Sequence, residues 1–229
     1  MRFTVPTALM LWMVLLPPMA WSQEESAPRL LAAIPSAGRL DYEVVRAAER
    51  IGAHSVMFQR EGRRLSITTR TNISVDLLGI TVYRFRYDAE EEWIDGQLVR
   101  LTSRTNNDGE RLEVDLAVTN GRLRGICNGT TLDLPAGLLP VSVWHPDIVR
   151  RSVLLDQYKC VERRVQTADH GTEPILAKGQ RLTARHYAMT GQLRRDIWYG
   201  PDGQTVQVRF PANDGSEITF ILLTSLERQ

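Results

Sequence analysis

The sequence predicts an all-β protein, mainly antiparallel, in which a curved meander sheet forms a barrel or half-barrel. Several segments alternate apolar and polar residues with a period of two, which is typical of strands with one buried and one solvated face. Between them stand dipeptides in which Gly follows an acid or Asn, and such pairs favour the positive φ angles of tight hairpin turns. These dipeptides are Glu61-Gly62, Asp95-Gly96, Asp108-Gly109, Asn120-Gly121, Asn128-Gly129, Asp202-Gly203 and Asp214-Gly215.

Residues 1–22 have the pattern of a cleavable export signal. Arg2 precedes an apolar run from Ala8 to Leu16, and Ala20 and Ser22 offer small side chains at the two positions that a signal peptidase reads. The run is about half the ~20 residues needed to cross a bilayer, and no later segment approaches that length, so we expect no transmembrane segment after cleavage. The mature protein is therefore predicted to be periplasmic or secreted.

The remainder of the chain is predicted to hold an N-terminal arm, residues 23–36, and a single β domain, residues 37–229. A chain of this size buries roughly 70% of the surface that it exposes when unfolded, which is enough for one substantial core. The full sequence has 28 Lys and Arg against 27 Asp and Glu. This balance, with both signs interspersed, argues against nucleic acid as a partner.

The strands are predicted from the alternation and the turn spacing. The odd-numbered residues from Leu65 to Val75 are mostly apolar and the even-numbered ones polar, and the same period recurs from Leu112 to Val118. The turns at 95, 108, 120 and 128 mark out a meander whose strands run about 6 to 11 residues. A second meander is predicted from Tyr158 to the C-terminus.

The middle of the chain, from Leu134 to Arg151, breaks the alternation. A curved sheet must cover its apolar face, and this irregular segment could supply the cover. Within it, His145-Pro146-Asp147 is expected to open a short helical turn, because proline suits the first turn of a helix. One or two such short turns are predicted in this region.

The two cysteines, Cys127 and Cys160, are expected to form a disulfide, because thiols in an exported protein tend to pair. The alternative is two separate buried thiols. No Cys-x-x-Cys motif is present, so the bond is interpreted as structural rather than redox-active.

Several ordered blocks of residues resemble a family of exported bacterial proteins known only as a domain of unknown function. These blocks are Gly52-Ala-His-Ser, Val75-Asp-Leu-Leu-Gly79, Tyr83-Arg-Phe-Arg-Tyr87, Glu92-Trp93 with Gly96-Gln-Leu98, and Ser103 to Gly109. More distantly, the chain is similar to the curved-sheet periplasmic lipoprotein carriers LolA and LolB. The resemblance implies a curved antiparallel sheet in the cell envelope, wrapped around an apolar cavity, and brings no established activity.

Aromatic residues are the main candidates for ligand binding. Three of them alternate along one strand and so share one face, where large rings with polar tips could line a cavity or equally fill a core. Three tryptophans leave the same two alternatives. The predicted ligand-binding residues are Tyr83, Phe85, Tyr87, Trp93, Trp144 and Trp198.

The charged candidates are weaker. The acidic run from Asp88 to Glu92 matches no ligand loop and is interpreted as a solvated strand end, so no metal site and no cofactor are predicted. His145 and Asp147 form the best catalytic candidate, since a loop histidine near a carboxylate could act as an oriented general base. No nucleophile motif accompanies them.

Three functions therefore stand as hypotheses. The first is a non-catalytic protein that binds an apolar ligand, a lipid or acyl chain. The second is an interaction module that binds another envelope protein through an exposed strand edge or the loop between 135 and 151. The third is a hydrolase that uses His145 and Asp147.

Overall fold

The computed structural model describes residues 30–212 and 214–223. The predicted signal peptide, 1–22, and the first part of the predicted arm lie outside the described residues. Where the structure describes the arm, Leu30 and Ala33 are buried against the domain. No helix in the described part of the chain has the length and hydrophobicity to cross a membrane.

Strands dominate the chain and form one 15-stranded sheet, which confirms the all-β, mainly antiparallel prediction. Among the described residues, parallel pairing occurs only between two short strands, β9 and β10 in the following series. The strands are β1 Arg39–Arg46, β2 Glu49–Glu61, β3 Arg64–Leu77, β4 Ile80–Ile94, β5 Gln97–Asn107, β6 Glu110–Thr119, β7 Arg122–Cys127, β8 Thr130–Pro135, β9 Leu139–Pro140, β10 Val153–Asp156, β11 Val161–Ala177, β12 Gln180–Gly191, β13 Arg195–Tyr199, β14 Thr205–Pro211 and β15 Glu217–Leu222.

Burial along the strands follows the predicted alternation. In β3 the side chains of Leu65, Ile67, Thr69 and Thr71 are buried, while the intervening residues are exposed or half-buried. The turn residue before Gly has φ of 50° at Asp95, 51° at Asp108, 53° at Asn120 and 50° at Asn128. These left-handed angles are those of the tight hairpins that the Asp-Gly and Asn-Gly pairs predicted.

The sheet is curved, and no strand pairing joins its two edges in the described part of the chain. Its order runs from β8 through β7 to β1, then β15 back to β9, so β1 and β15 are central neighbours and β8 and β9 are the two edges. The predicted disulfide joins Cys127 at the end of β7 to Cys160, which precedes β11. Across the same gap, Asn128 Nδ2 donates to the Tyr158 carbonyl at 2.9 Å. The two ends of the open sheet are therefore linked covalently through their side chains.

The irregular segment between β8 and β10 lies inside the curved sheet, as cover for its apolar face. Residues 139–145 are buried, and the Trp144 ring packs edge-on against Phe58 and Trp93 at centroid distances of 5.6 and 5.5 Å. The predicted helical turn is a 3₁₀ turn, Pro146–Arg150, capped by His145. The middle of the 135–151 loop is therefore buried, and its exposed residues are at the two ends, 135–137 and 150–151.

Candidate functional site

A cavity of about 920 Å³ lies within the concave side of the sheet and is partly enclosed. Its walls come from both halves of the chain, because the pairing of β1 with β15 brings the two meanders side by side. The internal segment around Val143 and Trp144 forms a further wall. The apolar part of the lining includes Ile73, Val75, Phe85, Phe210, Ile218 and Phe220.

Aromatic residues of β4 form one wall of the cavity. Tyr83, Phe85 and Tyr87 of β4 all line the cavity. Tyr158, from the β10–β11 loop, packs against two of them, with centroid distances of 4.9 Å to Tyr87 and 6.2 Å to Phe85. Tyr83 donates its hydroxyl hydrogen to Asn107 Oδ1 at 2.7 Å. These rings give the cavity an apolar surface with polar tips.

The three predicted tryptophans occupy different places. Trp144 lines the cavity, but Trp93 lies behind it, fully buried, and Trp198 is also absent from the lining. Trp198 and Arg195 are three residues apart on β13, so alternation places them on opposite faces of the strand. There Trp198 stacks on His186 at 4.4 Å and donates to Glu173 Oε1 at 2.5 Å. Because neither Trp93 nor Trp198 lines the cavity, each would affect ligand binding only through the side chains next to it.

Glu91 corrects the interpretation of the acidic run as solvated. Its side chain is only 3% exposed, lines the cavity and accepts a hydrogen bond from Trp93 Nε1 at 2.8 Å. Burial raises the pKa of Glu91 from its ordinary value of 4.5 to about 7, although the indoles of Trp93 and Trp144 act in the opposite direction. The site thus holds a carboxyl group that exchanges its proton near neutral pH, a property common at functional sites.

His54 on β2 is a second buried polar group in the cavity wall. Its Nδ1 lies 2.7 Å from Thr71 Oγ1, and its ring contacts the rings of Tyr42 and Phe220 at 5.6 and 5.0 Å. Burial, with a further contribution from the charge of Arg195, lowers the pKa of His54 to about 3. The imidazole is therefore neutral over the physiological range and can offer a ligand a hydrogen-bonding nitrogen.

The family model described as "Domain of unknown function (DUF6134)" matches residues 42–223. The chain belongs to the DUF6134 family. This agrees with the resemblance to an exported family of unknown function, and the matched range includes every strand from β2 to β15. No curated protein matches the chain.

One solved structure that resembles this DUF6134 chain is that of a protein from Bacteroides fragilis, described as exported and as having a YmcC-like fold. The identity is 9%, the TM-score is 0.31, and the match covers 80% of this chain and 92% of the other. A likeness of that size carries no argument about function. The distant similarity to LolA and LolB stays a prediction.

His145 and Asp147 lie in the core of the DUF6134 domain, outside the cavity lining. His145 Nδ1 accepts the backbone N–H of Asp147 at 3.1 Å, which makes it the cap of the 3₁₀ turn. Burial lowers the pKa of His145 to about 3. A buried imidazole that has committed one nitrogen to capping is poorly placed to act as a general base near neutral pH.

Among the cavity residues that the sequence interpretation missed are four with polar side chains: His54, Glu91, Tyr158 and Arg195. For Glu91 a signal existed, because the two-residue period of β4 places it on the same face as Tyr87. The other three come from separate strands and a loop that only the folded sheet brings together. In the described part of the chain, no group of three or more His, Cys, Asp or Glu side chains is arranged to hold a metal ion.

Proposed function

We propose that this protein is a non-catalytic binding protein of the periplasm or extracellular space, whose cavity holds an apolar ligand, a lipid or acyl chain. The observation that carries the proposal is the cavity of about 920 Å³, which lies at the upper end of the roughly 300–1,000 Å³ typical of small-molecule sites. A space of this size exceeds the voids that ordinary core packing leaves.

The chemistry of the walls supports the same ligand class. Phenylalanine, tyrosine and branched aliphatic side chains from β3, β4, β14 and β15 face the space. Apolar surface left in contact with water is unfavourable by roughly 25 cal/mol per Å², so an apolar guest that displaces the water is stabilised. The few polar tips between the rings can orient such a guest.

The proposed compartment rests on the sequence. Residues 1–22 have the pattern of an export signal. The disulfide between Cys127 and Cys160 agrees with an oxidising compartment, where such bonds persist.

Phe85→Arg is expected to reduce uptake of a fluorescent acyl probe by about tenfold or more, because it places a charge among the aromatic rings of the cavity wall. Phe85 is only half-buried, so the new guanidinium can reach solvent and the free energy of unfolding should fall by no more than about 1 kcal/mol. Probe titration measures the first effect and urea denaturation the second.

Thr68→Arg is the matched control. Thr68 lies on the outer face of β3, opposite Glu90 of β4, so the new cation points away from the cavity and toward a carboxylate. This variant should keep both uptake and stability. Equal loss of uptake in the two variants, or loss of uptake in Phe85→Arg only in proportion to unfolded protein, would contradict the cavity assignment.

A second function, interaction with another envelope protein, is favoured by the tip of the β3–β4 hairpin. Four apolar side chains are exposed there: Leu77 by 62%, Leu78 by 95%, Ile80 by 68% and Val82 by 51%. Leu78 also has φ of 51°, a left-handed conformation that is unfavourable for a bulky residue. At the comparable turns Asp95, Asp108, Asn120 and Asn128 occupy this position, so the hairpin tip carries an apolar residue where a polar one would suit solvent better.

Leu78→Asn is expected to raise the free energy of unfolding by about 1 kcal/mol, because asparagine tolerates the left-handed conformation better and leaves no exposed apolar side chain. Thermal or urea denaturation measures the gain. If a partner protein binds this hairpin tip, the natural leucine is retained for that contact although it lowers the free energy of unfolding.

Asp108→Asn, at the same position of the β5–β6 hairpin, controls for the turn itself and should leave stability nearly unchanged. A photocrosslinking residue at position 78 should then give a discrete adduct in intact envelopes, and one at position 108 should not. Identical labelling from both positions, or a destabilised Leu78→Asn variant, would count against a partner at this tip.

A further inference from the structure

Arg195 is a charged side chain of the cavity wall that lies away from bulk solvent, whereas Lys159, the other lining cation without an ion pair in the described chain, is exposed. Arg195 is the first residue of β13, and its cross-strand neighbour on β12 is the buried Met189. Its guanidinium carbon lies 5.2 Å from the centre of the Phe210 ring. Among the side chains that the structure describes, none forms a hydrogen bond or an ion pair with this guanidinium.

The acidic groups nearby are engaged elsewhere. Asp196, the next residue, lies on the other face of β13 and contacts His186 at 2.9 Å and Arg209 at 3.5 Å. The carboxylates that line the cavity also have partners: Glu91 accepts from Trp93, Glu110 from Asn107, Asp156 from Arg163 and Asp214 from Arg46.

An arginine in such a place is costly, because its guanidinium remains protonated even when it loses part of its hydration. Burial lowers the pKa of Arg195, as expected for a desolvated cation, and the opposing effects of Tyr158 and of Asp156, which is paired with Arg163, do not offset it. A cation held against apolar walls without a counter-charge is destabilising unless a ligand supplies the counter-charge.

Two further polar groups surround the same part of the cavity. His54 is 5% exposed, and its Nε2 is buried without a hydrogen-bond partner among the described residues. The Tyr158 hydroxyl likewise has no hydrogen bond within the described chain, and the positive charge of Arg195 lowers the Tyr158 pKa, while burial raises it to about 12. All three groups line the same cavity, and ring contacts link Arg195 to His54: Arg195 lies over Phe210, Phe210 is 5.5 Å from Phe220, and Phe220 is 5.0 Å from His54.

We propose that Arg195, with Tyr158 and His54, binds the anionic head, a carboxylate or phosphate, of a ligand whose apolar chain occupies the rest of the cavity. This inference rests on the proposed function and narrows its ligand class to anionic amphiphiles. The guanidinium presents a planar fork that matches either anion, the tyrosine hydroxyl donates a hydrogen bond, and the neutral imidazole adds a polar contact. Fatty acids and phospholipids are the two sources of such a head group.

The test compares three ligands with the same alkyl chain: dodecanoate, dodecyl phosphate and the neutral 1-dodecanol. Calorimetric titration at pH 8, below the concentration at which micelles form, measures the affinity of each for the delipidated protein. We expect at least one anion to bind about 10- to 100-fold more tightly than the alcohol, as hydrogen bonds to charged groups allow. Tighter binding of dodecanoate indicates a fatty acid, and tighter binding of the phosphate indicates a phospholipid.

Arg195→Met should abolish this preference and leave dodecanol binding unchanged. Because the lost charge has no protein partner, the variant should unfold at the same or a higher urea concentration than the natural protein, whereas an arginine with a structural role would leave it destabilised. Arg195→Lys should retain part of the preference. Arg209→Met, on the outer face of β14, removes an arginine that already pairs with Asp196 and should not alter the preference.

The outcomes separate the two proposals. The anion site would be overturned if the natural protein bound the anions and the alcohol equally, or if the preference for anions persisted in Arg195→Met. Either result would still be consistent with an apolar ligand in the cavity. Failure of all three ligands to bind would overturn the cavity function and the anion site with it.

Discussion

Replacement of both cysteines by serine, Cys127→Ser with Cys160→Ser, is expected to lower the free energy of unfolding by about 3–4 kcal/mol. The bond joins residues that are 33 positions apart, and the chain-entropy model gives a loss of this size for a loop of that length. It also links the two end regions of an open 15-stranded sheet, which no strand pairing joins in the described part of the chain. Urea denaturation followed by tryptophan fluorescence measures the difference.

The same bond fixes one wall of the cavity. Tyr158 lies two residues before Cys160, and its ring packs against Tyr87. The serine variant should therefore bind an acyl probe more weakly than the oxidised protein, even where it remains folded.

Reduction and alkylation of the natural protein is the control for the serine variant, because it breaks the same bond without changing the residues. Intact mass before and after reduction establishes that the bond is present in the exported protein. Free thiols in that protein, or a stability loss below about 1 kcal/mol on reduction, would contradict a structural role for the bond.

Glu91→Gln is expected to remove a pH-dependent contribution to stability of about 3 kcal/mol. In the folded protein the pKa of Glu91 is about 7, against 4.5 as its ordinary value. Between these values the folded state retains a proton that the unfolded state has released, so this contribution is fully present below pH 4.5 and is lost as the pH rises through 7. Each pKa unit corresponds to 1.36 kcal/mol, which gives the total of about 3 kcal/mol.

The measurement is the difference in free energy of unfolding between the natural protein and Glu91→Gln, at pH values from 4.5 to 8. Taking the difference cancels His54 and His145, whose lowered pKa values of about 3 make stability fall as the pH drops below about 6.5. Glu90→Gln, which changes an exposed carboxylate on the other face of β4, is the matched control. A difference that is constant with pH would mean that folding does not raise the pKa of Glu91.

Much of the fold could be predicted because the local rules and the tertiary structure agree. Alternation in β3 and the Asp-Gly and Asn-Gly turns act over a few residues, and both are present as predicted. The turns at Ala47-Ala48 and Leu78-Gly79 were missed, since alanine and leucine seldom occupy left-handed positions and so give no turn signal. At these two hairpins the pairing of the flanking strands overrides local preference.

The candidate site could be predicted only where one strand carries it. Alternation alone places Tyr83, Phe85 and Tyr87 on one face, and the same rule would have placed Glu91 with them had the neighbouring acids not favoured a solvated interpretation. Alternation cannot tell which of Trp93 and Trp144 lines the cavity, because Trp93 lies deeper in the core, behind Trp144. Depth in a core depends on the whole fold rather than on a period along a strand.

The polar cluster at the cavity was outside the reach of sequence patterns. His54, Tyr158 and Arg195 belong to β2, the β10–β11 loop and β13, and they meet because the pairing of β1 with β15 and the disulfide curl the sheet. A single histidine, tyrosine or arginine within a strand or turn is common in β proteins. These three residues are candidates for ligand binding only because they line the same cavity.

The most direct test of the central claim is native mass spectrometry of the mature protein, purified from the envelope without detergent, followed by organic extraction and identification of any bound molecule. The account predicts a stoichiometric adduct, identified as an amphiphile with an acyl chain and an acidic head group, that is lost in Phe85→Arg. A uniformly ligand-free mass, together with no uptake of added fatty acid or phospholipid by the same preparation, would contradict the binding function.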